Sequence, residues 1–102
     1  MRIFLFLSLA AAAAASASPL ALAQDDAVAR SLAATCANCH GTDGRGVTKE
    51  VVPLAGLPKE HIVARMKAFK DGTRPATIMH QLAKGYTDQQ IESLAAYFAA
   101  RK

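Results

Sequence analysis

The chain has 102 residues, 52% of them hydrophobic, and a formal charge of +4 from 12 Lys+Arg and 8 Asp+Glu. That length excludes a multi-domain protein and a multi-span transporter. The modest charge, with no block of like sign, no zinc-finger pattern and no basic helix, excludes nucleic acid as the expected partner.

Met1 and Arg2 precede an apolar run from Ile3 to Ala15 that is broken only by Ser8, and a stretch of small residues then ends in Ala21-Leu22-Ala23. A positive start, a short apolar run and an Ala-x-Ala site predict a secretory signal peptide over residues 1–23, cleaved before Gln24. Residues 24–102 are then the exported, periplasmic domain, with no membrane span after cleavage. An uncleaved anchor is the alternative that length alone allows, but Ser16, Ser18, Pro19 and six consecutive alanines dilute the run. Removing 23 residues from 102 leaves 79, with 11 Lys+Arg against 8 Asp+Glu, a net +3. Of these 79 residues 35 are apolar, but 14 of those are Ala and two are Cys, so 19 larger side chains remain for a core. A domain this small needs a staple beyond its own apolar surface.

The first helix is predicted from Asp25 and Asp26, which suit an N-terminus, with Val28 and Leu32 sharing a face, to about Thr35. Residues 41–56 hold four glycines and a proline with no helical period, and so form a loop. Pro58 suits the first turn of a second helix, in which Ile62, Met66 and Phe69 form an apolar stripe and Gly72 is the C-cap. A short helix is expected over about Thr77–Lys84, closed by Gly85. Thr87-Asp88-Gln89-Gln90 has the capping-box pattern, and Ile91, Leu94, Ala95 and Phe98 follow at i, i+3, i+4, i+7. No stretch alternates with period two for long enough to be a strand, so the expected fold class is all-α.

The chemistry lies in Cys36-Ala37-Asn38-Cys39-His40, the Cys-x-x-Cys-His attachment signature of c-type haem. Two thiols separated by two residues can form thioethers with two porphyrin vinyl groups, and His40 is then carried to the iron as proximal ligand. A thioredoxin-type reading lacks its βαβ context, a disulfide would close too short a loop to stabilise much, and zinc lacks a ligand set. Covalent haem is also the missing apolar staple. For the second axial position Met79 is the leading ligand, a soft thioether that favours ferrous iron. His80 and His61 are its competitors, and Met66 belongs to the apolar stripe. Gly41-Thr42-Asp43-Gly44-Arg45-Gly46 resembles a phosphate loop only superficially, since no strand precedes it and no Gly-Lys-Ser/Thr follows.

With these residues the chain resembles a class I c-type cytochrome over the whole of residues 24–102. More narrowly it resembles the cytochrome subunit of flavocytochrome c sulfide dehydrogenases. The stretches Phe69-Lys70-Asp71-Gly72-Thr73-Arg74-Pro75-Ala76-Thr77-Ile78-Met79, Ala83-Lys84-Gly85-Tyr86-Thr87-Asp88 and Leu94-Ala95-Ala96-Tyr97-Phe98 carry that likeness. The resemblance implies the class I cytochrome c fold around one haem, Met79 as distal ligand, and a Pro53 carbonyl that accepts the Nδ1 proton of His40. It further implies a one-electron carrier that is not itself an enzyme. Its electrons would come from an exported flavoprotein sulfide dehydrogenase, and its haem from the haem attachment machinery. A single Cys-x-x-Cys-His matches one domain of the subfamily's two-haem members. A free shuttle to an oxidase or reductase is the alternative within the same class. A haem enzyme or gas sensor with an open distal site is the rival outside it.

Overall fold

The computed structural model describes residues 19–102, with side chains from residue 25 onward. Five α-helices follow one another: α1 (Pro19–Ala34), α2 (Ala37–His40), α3 (Lys59–Asp71), α4 (Met79–Leu82) and α5 (Asp88–Ala99). Single 3₁₀ turns at Thr42–Gly44 and Ala83–Gly85 follow α2 and α4, and no strand occurs among the described residues. The expected all-α class is therefore met. The signal-peptide reading falls mostly on residues 1–18, outside the described part.

α5 is the hub. Its predicted stripe is buried, with Ile91 and Ala95 at 0%, Phe98 at 1% and Leu94 at 2% exposure, and Tyr97 joins them. The helix starts where the sequence says it should. Thr87 Oγ1 accepts from the Gln90 amide at 3.1 Å while Gln90 Oε1 accepts from the Thr87 amide at 2.9 Å. Two otherwise orphaned donors are thus satisfied, an arrangement whose removal costs about 1 kcal/mol.

α3 and α1 both pack on α5. From α3 come the buried Ile62 and Met66, with Phe69 half-buried beside them. Gly72 ends α3 in the left-handed conformation (φ 78°, ψ 9°), and its amide donates back to the Ala68 and Phe69 carbonyls. Pro58 lies one position before α3 rather than inside its first turn, and its carbonyl accepts from His61 and Ile62 at 3.0 and 3.2 Å.

α1 departs from expectation in two respects. It begins at Pro19, which puts Asp25 and Asp26 inside the helix rather than at its cap. Its buried face is Ala29 and Ala33, whereas Val28 is 53% exposed and Leu32 only half-buried. Two alanines a turn apart let the α1 backbone come close to α5, where larger side chains would hold it off. The short helix after Ile78 is also tighter than expected: α4 passes at Ala83 into the 3₁₀ turn that contains Gly85.

Candidate functional site

Cys36, Cys39 and His40 lie on one helical turn. The Cys36 carbonyl accepts from the Cys39 amide at 3.3 Å and the His40 amide at 2.9 Å. Spacing of three along a helix puts the two cysteines on one side of that turn. Cys36 is half-buried and Cys39 exposed. Burial pushes the Cys36 thiol up, against a hydrogen bond to Thr35 that pulls the other way. Among the described residues no three His, Cys, Asp or Glu side chains come together.

His40 is oriented from the loop that follows. Its Nδ1 lies 2.6 Å from the carbonyl oxygen of Val52. The acceptor is thus one residue earlier than the Pro53 carbonyl that the family resemblance implied. Successive carbonyls of an extended backbone point to opposite sides, so a shift of one residue decides which of them can reach the ring. Pro53 instead lies beside Gly46, where an added Cβ would stand 3.1 Å from Pro53 Cγ.

The Gly-rich loop is pinned at Gly44. Its carbonyl accepts from Leu54 at 2.7 Å and Ala55 at 3.0 Å, and Gly46 donates to the His40 carbonyl at 2.6 Å. Gly44 has φ 74°, and a Cβ there would lie 2.8 Å from Phe98 Cδ1 and 2.9 Å from Leu54 Cβ. Only glycine fits at this position, for both conformation and space. The preceding residue, Asp43, holds φ 54°, unusual for a residue with a Cβ. Its carboxylate takes the Tyr97 hydroxyl at 2.6 Å on one oxygen and Arg45 Nη1 at 3.3 Å on the other.

Met79 opens α4 and is half-buried against the core cluster, as is Cys36. The segment is fastened at both flanks. Arg74 sits 5.6 Å from the Phe69 ring centroid, and Lys70 Nζ donates to the Tyr86 carbonyl at 2.8 Å and meets Asp88 at 3.3 Å. A 2.8 Å hydrogen bond between Thr35 Oγ1 and Tyr86 Oη ties this segment to the residue before Cys36. Of the other sulfur and imidazole groups weighed, Met66 is buried in the core and His61 is exposed on α3. His80 is half-buried, and its Nδ1 is buried without a hydrogen-bond partner.

Two features test whether these residues suit a large, mostly apolar group with a polar edge. Val47 (68% exposed) and Val52 (53%) lie in the loop that orients His40, and Ile78 (55%) and Leu82 (47%) flank Met79. Large apolar side chains left open beside both segments offer a surface that such a group would cover. The orphaned His80 Nδ1 costs about 1–3 kcal/mol for as long as it lacks a partner, which a polar edge would relieve. The residues fit. Val52 and Asp43 escaped sequence reasoning, because their roles rest on a carbonyl direction and on a contact between residues 54 positions apart.

The family model described as cytochrome c matches residues 26–101. The cytochrome subunit of sulfide dehydrogenase from Chlorobaculum tepidum is 43% identical over 68 residues, covering 66% of this chain and 60% of that protein. Cytochrome c-554(548) of Halomonas halodenitrificans is 34% identical over 83 residues, covering 78% of this chain and 100% of that protein. The thiosulfate dehydrogenase electron acceptor of Thiomonas intermedia is 36% identical over 77 residues, covering 74% of this chain and 36% of that protein. Among solved structures, cytochrome c4 of Acidithiobacillus ferrooxidans superposes with a TM-score of 0.65 at 31% identity, over 76% of this chain and 48% of that one. The chain thus spans less than two thirds of three of these four relatives.

The Asp43–Tyr97 pair makes stability depend on pH. The Tyr97 hydroxyl holds the Asp43 carboxyl below the ordinary carboxylate range, with help from Arg45, Arg101 and Arg30. The same bond, with burial, pushes the Tyr97 phenol up. A lowered carboxylate stabilises above its unfolded value of about 3.9 and loses that contribution as pH falls through the folded value; a raised phenol stabilises below about 10 and loses its contribution as pH rises through the folded value. Tyr97→Phe should therefore lower the denaturant midpoint most between about pH 5 and pH 9, with a gap to wild type that narrows at both extremes. A gap of constant size across that range would show that the bond does not carry the difference.

Proposed function

The chain belongs to the cytochrome c family, and on that basis we propose that it is a periplasmic one-electron carrier with His40/Met79 ligation that accepts electrons from an exported flavoprotein sulfide dehydrogenase. The protein carries one covalently attached haem c and is an electron carrier, not an enzyme. Cys36 and Cys39 would hold the haem, and His40 and Met79 would occupy its two axial positions. When bound, the haem supplies the ferric/ferrous couple.

The protein's own residues bind and orient. The observation that carries the reading is the 2.6 Å contact between His40 Nδ1 and the Val52 carbonyl. A proton held on Nδ1 leaves Nε2 as the free lone pair, which is the tautomer an iron ligand needs, and the hydrogen bond fixes the ring's orientation. Met79 is supported by its place at the start of α4, clamped through Lys70, Arg74 and Tyr86. Met66 is committed to the core, His61 is exposed, and Pro53 stands in the same loop directly after Val52, whose carbonyl faces His40 Nδ1. Export rests on the leader-like residues 1–23, and among the described residues no helix is long and apolar enough to cross a membrane.

The ligand assignment is tested in the ferric protein, which should show the weak far-red charge-transfer band of an iron–thioether bond. Met79→His should abolish the band and lower the reduction potential, since imidazole favours ferric iron more than a thioether does. Survival of the band in Met79→Ala with its loss in Met66→Ala would overturn the assignment.

The partner is supported by the sulfide dehydrogenase relative. A second reading is a free carrier to an oxidase or reductase; the Halomonas cytochrome, whose full length this chain covers, shows that a relative of single-domain length exists. With a net charge of +3 on residues 24–102, long-range steering is weak, and binding to the flavoprotein should fall only gently with salt. Charge reversal at Arg74 or Lys84 should slow association more than reversal at Lys102. No measurable binding to a flavoprotein sulfide dehydrogenase, with fast electron transfer to an oxidase, would leave the free carrier.

A further inference from the structure

We propose that Tyr97 is a positioning residue for the axial imidazole of His40, acting across the fold through the Asp43 carboxylate and the loop from Gly41 to Leu54. The inference rests on His40 being an iron ligand, and it adds a second layer of control behind the Val52 hydrogen bond. Tyr97 lies on α5 at 8% exposure. Its hydroxyl donates to Asp43 Oδ1 at 2.6 Å, and its ring is covered by the Arg101 guanidinium, 3.9 Å from the ring centroid. The phenol is therefore fixed on the most buried helix of the protein.

Asp43 needs such an anchor. It follows His40 by three residues and keeps a left-handed backbone (φ 54°), which is uncommon for a residue with a Cβ though Asp tolerates it better than most. Both of its carboxylate oxygens are engaged, one by Tyr97 and the other by Arg45, and Arg45 Nε in turn donates to the Lys102 carbonyl at 3.0 Å. The next residue, Gly44, accepts the amides of Leu54 and Ala55 at 2.7 and 3.0 Å. Those two amides begin two residues beyond Val52, whose carbonyl faces His40 Nδ1 at 2.6 Å. Asp43 thus fixes Gly44, Gly44 fixes the strand of loop at 54–55, and that strand fixes the acceptor of the His40 proton. The path is closely packed at Gly44, where an added Cβ would stand 2.8 Å from Phe98 Cδ1 and 2.9 Å from Leu54 Cβ.

Loosening the anchor should weaken the His40–Val52 bond. The imidazole then donates less strongly to iron, ferric iron is less favoured, and the potential rises. The test uses the haem-loaded protein and four variants. Tyr97→Phe and Asp43→Ala should both raise the potential, by about a threefold shift in the ferrous/ferric equilibrium or about 28 mV at 59 mV per tenfold. Both should also speed solvent exchange of the His40 Nδ1 proton. Asp43→Asn, which keeps an acceptor oxygen and tolerates the left-handed backbone, should restore slow exchange. Thr87→Ala weakens the same helix at its cap without touching the loop, and so should lower stability while leaving potential and exchange unchanged. If Tyr97→Phe leaves both readouts at wild-type values, or if Thr87→Ala moves them equally, the positioning role is wrong. Should Asp43→Ala fail to fold, Tyr97→Phe decides alone. A wild-type spectrum without low-spin histidine ligation would instead mean that the ligand assignment itself had failed.

Discussion

The structure is governed by a shortage of apolar material. Among the described residues only three large side chains, Phe98, Ile91 and Leu94, are fully buried, and four of the ten core residues are alanines. Val47, Val52, Ile78 and Leu82, which in a larger domain would help fill the interior, stand exposed beside the two segments that carry His40 and Met79. A core this thin gives too little burial to offset the entropy of ordering the chain. A covalent haem, held through Cys36 and Cys39 between α1 and the loop, would answer the shortage by supplying one rigid apolar surface.

Around that constraint the fold divides its labour. α5 gathers α1 and α3 through a face that runs from Ile91 to Phe98, and it sends one polar contact, Tyr97 to Asp43, into the loop behind His40. The loop has little apolar packing of its own, and backbone hydrogen bonds converging on Gly44 and His40 hold it in place. The Met79 side is secured differently, by long side chains. Lys70 reaches the Tyr86 carbonyl, Arg74 lies over Phe69, and Thr35 meets Tyr86. One side is thus fixed by a short, tight backbone network and the other by side chains that bridge helices. An electron carrier benefits from both, since a site that barely rearranges between oxidation states exchanges electrons with little reorganisation.

Much of this was legible in the sequence where the physics is local. The Cys-x-x-Cys-His spacing, the Thr87–Gln90 capping box, the Gly72 C-cap and the stripes on α3 and α5 are all encoded within a few residues, and each stands where it was expected. The failures share a cause. The choice of Ala29 and Ala33 over Val28 as the buried face of α1 depends on how closely two helices approach, which a single helix's periodicity does not report. The choice of Val52 over Pro53 depends on the direction of one carbonyl in a loop whose path is set by backbone hydrogen bonds between residues distant along the chain, Leu54 and Ala55 to Gly44. The Asp43–Tyr97 bond joins residues 54 positions apart, and neither residue carries a local sign of the other.

The most direct test of this account is the thermal unfolding of the haem-loaded protein against Cys36→Ser/Cys39→Ser, followed by helical circular dichroism and protease resistance. If the haem completes the core, the wild-type protein unfolds in one cooperative transition and the double variant is largely unfolded and protease-sensitive at room temperature. A double variant that remains helical, resists protease and melts cooperatively would contradict it.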